Sequence, residues 1–424
     1  MKLLIIGAGG VGTSAAHIIK RAGRGGNWAK KVVIADYNEK RAKVVAEKQL
    51  GGGRFKAAFI NAADKEGMKK LFKEEKIDFV LNAVEPAFNV QIFDACFEAK
   101  TGYMDCAMTL SKPPGINKPY KTGDKEHPKL GDYQFSKAGA WKKAGLTALV
   151  GSGVEPGMAD VFAKFAAKHL FDKIDEVNVR DGDNYTGGGD FGFSVWTTIE
   201  ECLNPPVVWE KGKGWFTTER FSEPEVFNFP GGIGDVEVFN VEHEEVMLVP
   251  REIKCNRVTF KYGVPRDFQK MLFNLEACGL TEANKKIKVG NSEIAPRDFL
   301  VKTIPSPVNS TLKMKGKGCA GTWVKGIKNG KTRSVYLYQV ADNQECIKKY
   351  GTNSVVAQTA VNPVIMLELL DAGIWKLTGV HGPESFEPEP FIERLEKYEF
   401  PAGIREMESE YADAKDAEAL KTLL

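Results

Sequence analysis

Three glycines at the head of the chain carry the clearest chemical signal. Gly7, Gly9 and Gly12 stand in the run Gly7-Ala8-Gly9-Gly10-Val11-Gly12, directly after the apolar stretch Lys2-Leu3-Leu4-Ile5-Ile6 and before the helix-like Thr13 to Lys20. In a strand–turn–helix unit of this kind Gly7 allows the tight turn, Gly9 lets a pyrophosphate approach the backbone, and Gly12 lets helix and strand pack closely. The helix start, with Gly10 and Val11, offers free N–H groups and a partial positive charge to phosphate. A second strand-like run, Lys31 to Ala35, ends in Asp36, near the ~20-residue interval at which an acid reaches the adenosine ribose. A carboxylate there accepts hydrogen bonds from both ribose hydroxyls and repels a 2′-phosphate, which favours NAD. Lys40 and Arg41 stand near enough to keep NADP open.

The elements that must position these residues alternate for about 150 residues. Arg41 to Leu50 reads as helix, Phe55 to Phe59 as strand, Lys65 to Glu75 as helix, Ile77 to Asn82 as strand and Gln91 to Lys100 as an amphipathic helix; Gly102 to Asp105 and Leu146 to Val150 are further strands. Alternation of this kind predicts a doubly wound α/β domain with a parallel sheet. Cofactor contacts are expected where strands end, at Ala62 and Asp64, and at Ala83, Val84 and Glu85 beside the nicotinamide ribose; Asp64 also suits a helix N-cap. The polar stretch from Ser111 to Asp132 reads as a surface insertion. Beyond residue 157 the alternation gives way to aromatic and β-branched runs such as Asp235 to Asn240 and Arg333 to Tyr338, which predict a mixed or antiparallel sheet. Residues 353 to 376 are again helical.

Composition narrows the partners. With 424 residues, two or three domains are expected. Fifty-nine basic against 56 acidic side chains leave a charge of +3, and the basic residues are dispersed, so no nucleic-acid footprint is indicated and a small metabolite fits better. The seven cysteines form no CxxC pair and no metal-ligand spacing, which argues for a reducing compartment. No membrane span or secretory signal is apparent, and a cytoplasmic location is expected.

The segment Gly151-Ser152-Gly153-Val154-Glu155-Pro156-Gly157-Met158-Ala159-Asp160 closely resembles the end of the dinucleotide-binding domain in the saccharopine dehydrogenase (reductase) superfamily. The stretch Gly187 to Trp196 with Glu200, Asn204 and Pro205, and the stretch Val241 to Val246 with Pro250 and Arg251, are similar to further motifs of that family. Tyr336 to Cys346 and the tail Gly379 to Phe391 resemble its carboxynorspermidine dehydrogenase branch. The resemblance implies a Rossmann domain (1–156), an inserted α+β substrate and dimerisation domain (157–352), and a C-terminal helical segment (353–424) returning to the Rossmann domain. It also implies NAD(P)-dependent hydride transfer at a C–N centre of a lysine- or polyamine-derived amino acid. The lysine 6-dehydrogenase branch stays open, as does a non-catalytic nucleotide sensor. A homodimer is expected of a soluble enzyme this size.

Such chemistry requires a proton to be exchanged with the substrate nitrogen and a cationic clamp for each carboxylate. Asp105 ranks first for the proton because it closes its strand beside the expected nicotinamide, and Glu155 at the domain junction ranks second; a cap or loop bond and a hinge contact are their plain alternatives. His243 is a candidate hydrogen-bond donor to substrate. If it lies on a strand, Glu244 and Glu245 point to opposite faces, and no metal is expected. Tyr185, Asp190 and Trp196 flank a glycine-rich loop that a ligand could approach, and Arg251 and Arg333 are candidate carboxylate clamps or plain ion pairs.

Overall fold

The protein is described by a computed structural model for residues 1–21, 28–111, 122–126, 128–187, 191–305, 311–410 and 415–420. The apolar runs at the N-terminus form strands buried on both faces, as their lack of polar alternation requires. These are β1 (Lys2–Ile6), β2 (Lys31–Asp36), β3 (Phe55–Phe59), β4 (Phe79–Asn82), β5 (Gly102–Asp105) and β6 (Thr147–Leu149), with helices Gly10–Arg21, Lys65–Glu75 and Asn89–Ala99 among the connections. In the first of these helices Gly12, Ala15, Ala16, Ile18 and Ile19 face the core.

The chain then builds β7 (Lys173–Asp183), β8 (Val207–Glu210), β9 (Gly214–Thr217), β10 (Glu225–Phe229), β11 (Gly234–Asn240) and β12 (Arg257–Tyr262), a small hairpin of β13 (Ile287–Val289) and β14 (Ser292–Ile294), and the long pair β15 (Lys317–Lys328) and β16 (Lys331–Asp342). Three strands close the chain: β17 (Gly379–His381), β18 (Gly403–Glu406) and β19 (Lys415–Ala419). The first sheet has the order β17-β6-β5-β4-β1-β2-β3, with all neighbours parallel. The second runs β10-β11-β12-β7-β15-β16-β18-β19, with β8 and β9 attached through β12. In that sheet β7 and β12 are parallel and the neighbours on either side antiparallel. The α/β fold and the mixed second sheet expected from the sequence are both present.

The C-terminal segment, expected as a helical return to the first domain, contains strands as well as helices. Helix Ser354–Asp371 packs on helix Gly10–Arg21, and β17 extends the first sheet. The chain then crosses to the second sheet, where β18 pairs with β16 and places Ile404 opposite Leu337, both buried. An uncovered edge on β16 would expose a row of unpaired backbone groups, and β18 removes it. The insertion expected between Ser111 and Asp132 lies partly outside the described residues.

Strand order reverses at β1, which sits between β4 and β2, so the crevice beyond the carboxyl ends of β1 and β4 is the expected ligand site of the sheet. Its walls depend on one close approach. A Cβ added at Gly12 would lie 1.9 Å from the carbonyl oxygen of Gly7 and 3.1 Å from Ile5 Cγ2. Because the first of these is backbone, Gly12→Ala must shift the helix off β1, at a cost of about 3 kcal/mol or more. The variant is expected to melt at least several degrees below the parent in thermal denaturation; an unchanged melting temperature would contradict this packing.

Candidate active site

A large cleft of ≈ 1510 Å³ opens from that switch point and continues between the two sheets. Its wall carries Gly7, Gly9, Gly10, Val11, Asp36 and Ala62 at one end, and Ala83, Val84 and Glu85 after β4. Gly7 has φ +104° and a Cβ there would meet the Ala83 carbonyl oxygen at 2.7 Å, so the turn admits glycine alone. At Gly9 a Cβ would meet nothing within 4 Å. No protein atom claims the space over Gly9, and that space lies at the start of helix Gly10–Arg21. The residues therefore fit a dinucleotide, with the pyrophosphate over Gly9 and the helix N-terminus.

Asp36 ends β2 with both oxygens oriented by backbone. Oδ2 accepts from the Ala8 N–H at 2.8 Å and Oδ1 from the Asn38 N–H at 2.7 Å. Arg41 Nη1 stands 3.8 Å from the carboxylate and shares the cleft wall. Two expected cofactor residues act from behind the wall. Gly12 supplies the close packing, and Asp64 caps helix Lys65–Glu75 by accepting from the Gly67 N–H at 3.0 Å.

Deeper in the cleft, Asp105 ends β5 and is buried. Its Oδ2 accepts from the Tyr103 hydroxyl at 2.8 Å and from Gln134 Nε2 at 2.6 Å, and its Oδ1 from the Gly151 N–H at 2.8 Å. Burial is the largest influence on this carboxyl and outweighs the three donors, raising it to about 7. With three protein donors in place, Asp105 ties β5 to the loop that leads out of the first sheet.

Beyond Asp105 the wall turns acidic. Glu155, Asp181, Asp183, Glu201 and Glu244 converge there, with Tyr185, Phe193, Phe260, Tyr262 and Phe268 between them. Among the described residues of this half, His243 and Lys302 are the cationic side chains on the wall. Burial and the charge of Asp181 hold Glu155 well above the carboxylate range. Burial and Asp183 raise Asp181 to about 7. Glu201 rises to about 8, burial again being the main cause, although His243 pulls the other way. His243 itself lies flat on Phe260, ring centroids 3.7 Å apart and planes at 7°. Its Nδ1 bonds Glu245 Oε2 at 2.7 Å and lies 3.5 Å from Glu244 Oε2, while Nε2 faces Glu201 Oε1 at 4.0 Å. Burial alone would lower the imidazole, but Glu245, Glu244 and Glu201 together lift it to about 10. It is an imidazolium at neutral pH.

The structure gathers some sequence candidates and disperses others. Asp105, Glu155, His243 and Tyr185 share the cleft, and the Tyr185 hydroxyl lies 2.5 Å from Ser354 Oγ. Trp196, Arg251 and Arg333 are not on its wall. Trp196 lies under the Arg297 guanidinium at 5.0 Å. Arg251 stacks on Phe135 at 3.8 Å and donates to the Met247 carbonyl. Arg333 is paired with Glu406 and donates to the Leu170 carbonyl, so it takes the plain ion-pair role. Asp190 lies outside the described residues. His243 is not on a strand: β11 ends at Asn240 and helix Glu245–Glu252 begins two residues after His243, which is why Glu244 and Glu245 both reach the imidazole. Among the described residues no group of three His, Cys, Asp or Glu side chains is arranged to hold a metal. The acids Asp181, Asp183 and Glu201 were missed. Their one sequence signal is the spacing of Asp181 and Asp183, which places both on one face of β7.

Fold and cleft define a nicotinamide-dependent oxidoreductase. Residues 3–149 match the saccharopine dehydrogenase NADP binding domain, and residues 153–400 match the saccharopine dehydrogenase C-terminal domain. The chain belongs to the saccharopine dehydrogenase family. It is 29% identical to a carboxynorspermidine synthase of Vibrio cholerae over 93% of this chain and 94% of that protein. It is 26% identical to a carboxyaminopropylagmatine dehydrogenase of Synechocystis over 93% of this chain and 95% of that protein. Among solved structures, the fold is similar to apo saccharopine dehydrogenase (L-Glu forming) from Saccharomyces cerevisiae, with a TM-score of 0.63 at 14% identity, covering 96% of this chain and 100% of that one. Among the described residues no helix is long and apolar enough to cross a membrane, and all seven cysteines are free.

The acidic wall has a consequence for stability. Glu201 keeps its proton up to about 8 in the folded protein against an ordinary value of 4.5. A carboxyl raised in this way contributes stability that is complete below its unfolded pKa and is lost as pH rises through its folded one. Glu201→Gln removes that titration. The variant is expected to melt above the parent at pH 9, with the gap closing toward pH 5, in a series of thermal denaturations; a gap independent of pH would show that Glu201 is ionised throughout.

Proposed function

We propose that this enzyme transfers hydride at the C–N centre of a polyamine-derived amino acid, joining a carbonyl compound to an amine that carries a second positive charge. The observation that carries the reading is the acidic wall. Half-buried carboxylates gathered at one end of a cleft favour a bound cation and disfavour a second carboxylate, so a diamine is accommodated where a lysine- or glutamate-type substrate is repelled. The carboxynorspermidine and carboxyaminopropylagmatine names of the relatives agree with it. Condensation of the aldehyde with the amine releases water and gives an imine. Reduction adds hydride to carbon and one proton to nitrogen, and a dinucleotide bound at Gly9 and Asp36 supplies the hydride.

The chain's own residues then have distinct tasks. The acids Glu155, Asp181 and Glu201 hold the distal ammonium. Tyr262 and Phe260 form apolar wall against a methylene chain. The imidazolium of His243 stands beside the same acids as the proton donor to nitrogen, and Asp105 orders the loop that carries Glu155. A charged imine is favoured in these surroundings for the same reason as the ammonium.

For the cofactor we infer a preference for NAD(H). Asp36 is fixed by two backbone N–H groups and presents negative charge where a 2′-phosphate would sit, although Arg41 offers some compensation. The free cysteines suit a reducing cytoplasm, and a homodimer is the proposed assembly.

Two measurements test the reading. Absorbance at 340 nm with purified protein should show NAD reduction on carboxynorspermidine and none on saccharopine or lysine; the reverse pattern would return the enzyme to the amino-acid branch. Asp36→Ser should raise the ratio of kcat/KM for NADP(H) over NAD(H) by about tenfold or more, equivalent to ~1.4 kcal/mol. If the parent already prefers NADPH, the assignment of Asp36 fails.

A further inference from the structure

Beside the acidic end of the cleft lies a second, much smaller space. This recess of ≈ 20 Å³ is lined by the apolar Met108, Leu110, Leu130 and Trp196 and by four acids, Glu200, Glu201, Glu242 and Glu244. Pro86, Ala107, Thr197, Glu201 and Glu244 wall both spaces, so the recess adjoins the cleft. Two of the acids are already committed. Glu200 is paired with Arg297 and accepts from Asn204 Nδ2 at 3.1 Å. Glu244 accepts from the Met108 N–H at 3.0 Å and lies 3.5 Å from His243 Nδ1. Glu242 differs. It is 2% exposed, and its Oε2 accepts from Asn204 Nδ2 at 2.7 Å, but its Oε1 has no hydrogen-bond partner, and neither has the hydroxyl of Ser111. The Glu242 N–H donates to the Glu201 carbonyl at 3.2 Å, which keeps these two acids side by side.

An unclaimed carboxyl oxygen is costly in a dry interior, and a cation beside it removes the cost. Size decides which cation. A space of this volume admits roughly one or two water-sized groups. A primary ammonium is of that size, whereas a planar guanidinium, with four heavy atoms, is too large. Among the described residues no three His, Cys, Asp or Glu side chains are arranged to hold a metal. We propose that the recess seats the terminal primary ammonium of the amine substrate, and that Glu242 is the residue that selects this group over a guanidinium. This rests on the reading of the substrate as an amine with a second positive charge, and names the form that charge takes. Glu201, on the wall of both spaces, holds the ammonium at the mouth of the recess, and Glu155 and Asp181 act on the same charge from the cleft side. Met108, Leu110 and Leu130 suit the methylene next to the nitrogen.

The electrostatics agree with this placement. Burial is the main influence on Glu242 and raises it to about 8; the nearby Ser111 and Asn204 oppose it, and Glu200 and Glu244 add to it. At neutral pH the free protein therefore keeps a proton on Glu242, and a bound ammonium takes over from that proton as the counter-charge. A neutral side chain brings no charge to the recess and leaves the proton where it is.

The test is calorimetric binding of 1,3-diaminopropane and of (3-aminopropyl)guanidine to the full-length protein saturated with NADH. The parent should bind the diamine at least about tenfold more tightly than the guanidine. Glu242→Gln removes the charge at constant shape, and should weaken diamine binding about tenfold or more while changing guanidine binding less than about threefold. Leu130→Ala enlarges the recess and should tighten guanidine binding about fivefold or more, a gain that a merely structural role for the recess does not produce. Equal affinities in the parent, or no binding of the diamine, would overturn the proposal and leave the recess to an ordered water; so would a parent-like preference in either folded variant. Should one variant fail to fold, the other decides together with the parent. The binding measurement needs no turnover. Oxidation of carboxynorspermidine without discrimination between the two amines sinks this inference alone, and discrimination without oxidation sinks the proposed reaction and leaves the recess standing.

Discussion

The contact between Gly12 and the Gly7 carbonyl sets the position of nearly everything that follows. Because nothing larger than hydrogen fits between helix Gly10–Arg21 and the turn after β1, the helix axis is held close to the sheet and its N-terminus is aimed over Gly9. That places the phosphate-binding end of the cleft. The parallel register of β1 with β4, and of β4 with β5, then carries the strand ends Asn82 and Asp105 out to one level, so the residues after them line one wall. Asp105 bonds the Gly151 N–H across to the segment leaving β6, and this segment carries Glu155 into the substrate half.

Against this rigid half stands a substrate half built at an energetic disadvantage. Glu155, Asp181, Glu201 and Glu244 are all raised above their ordinary values, and burial is the leading cause for each. Such groups lower stability in the free protein at neutral pH. On the proposed reading, a cationic substrate in the cleft offsets this disadvantage. Ordinary ion pairing was open to the sequence, and the fold uses it elsewhere: Arg180 pairs with Glu225, Arg257 with Glu210 and Glu223, and Arg333 with Glu406. The second sheet thus keeps its arginines for its own carboxylates and leaves those of the cleft wall without one.

How much of this could be read in the sequence follows from the range of the interactions involved. The glycine run, Asp36 and the alternation of the first domain are local patterns, so the fold class, the mixed second sheet and the cofactor half were legible. The acid wall was not. Glu155, Asp181 and Glu201 come from three separate elements, and nothing in the residues around each marks its partners. Arg333 illustrates the same limit, since its carboxylate partner Glu406 lies 73 residues away. Whether His243 lay on a strand was left open by the sequence; the chain leaves β11 after Asn240, and the imidazole stacks on Phe260 from another strand, a contact no local pattern marks. β18 and β19 were likewise illegible because their pairing is dictated by a free edge on β16, not by their own composition.

Stability and selectivity meet in the protonation of the acid wall. In the free enzyme Asp181 and Glu201, near 7 and 8, hold protons for part of the time, and these protons are what make burial tolerable. On the proposed reading, an incoming ammonium replaces them as the counter-charge, so binding of a dication is coupled to proton release. Affinity for the amine must then rise with pH through this range until the amine itself loses its charge. A neutral or anionic side chain of the same length displaces no proton and gains nothing from the wall. If the proposed substrate is the right one, selectivity for a second positive charge comes from the same desolvation that weakens the free protein, and substitution at Glu155, Asp181 or Glu201 changes both properties together.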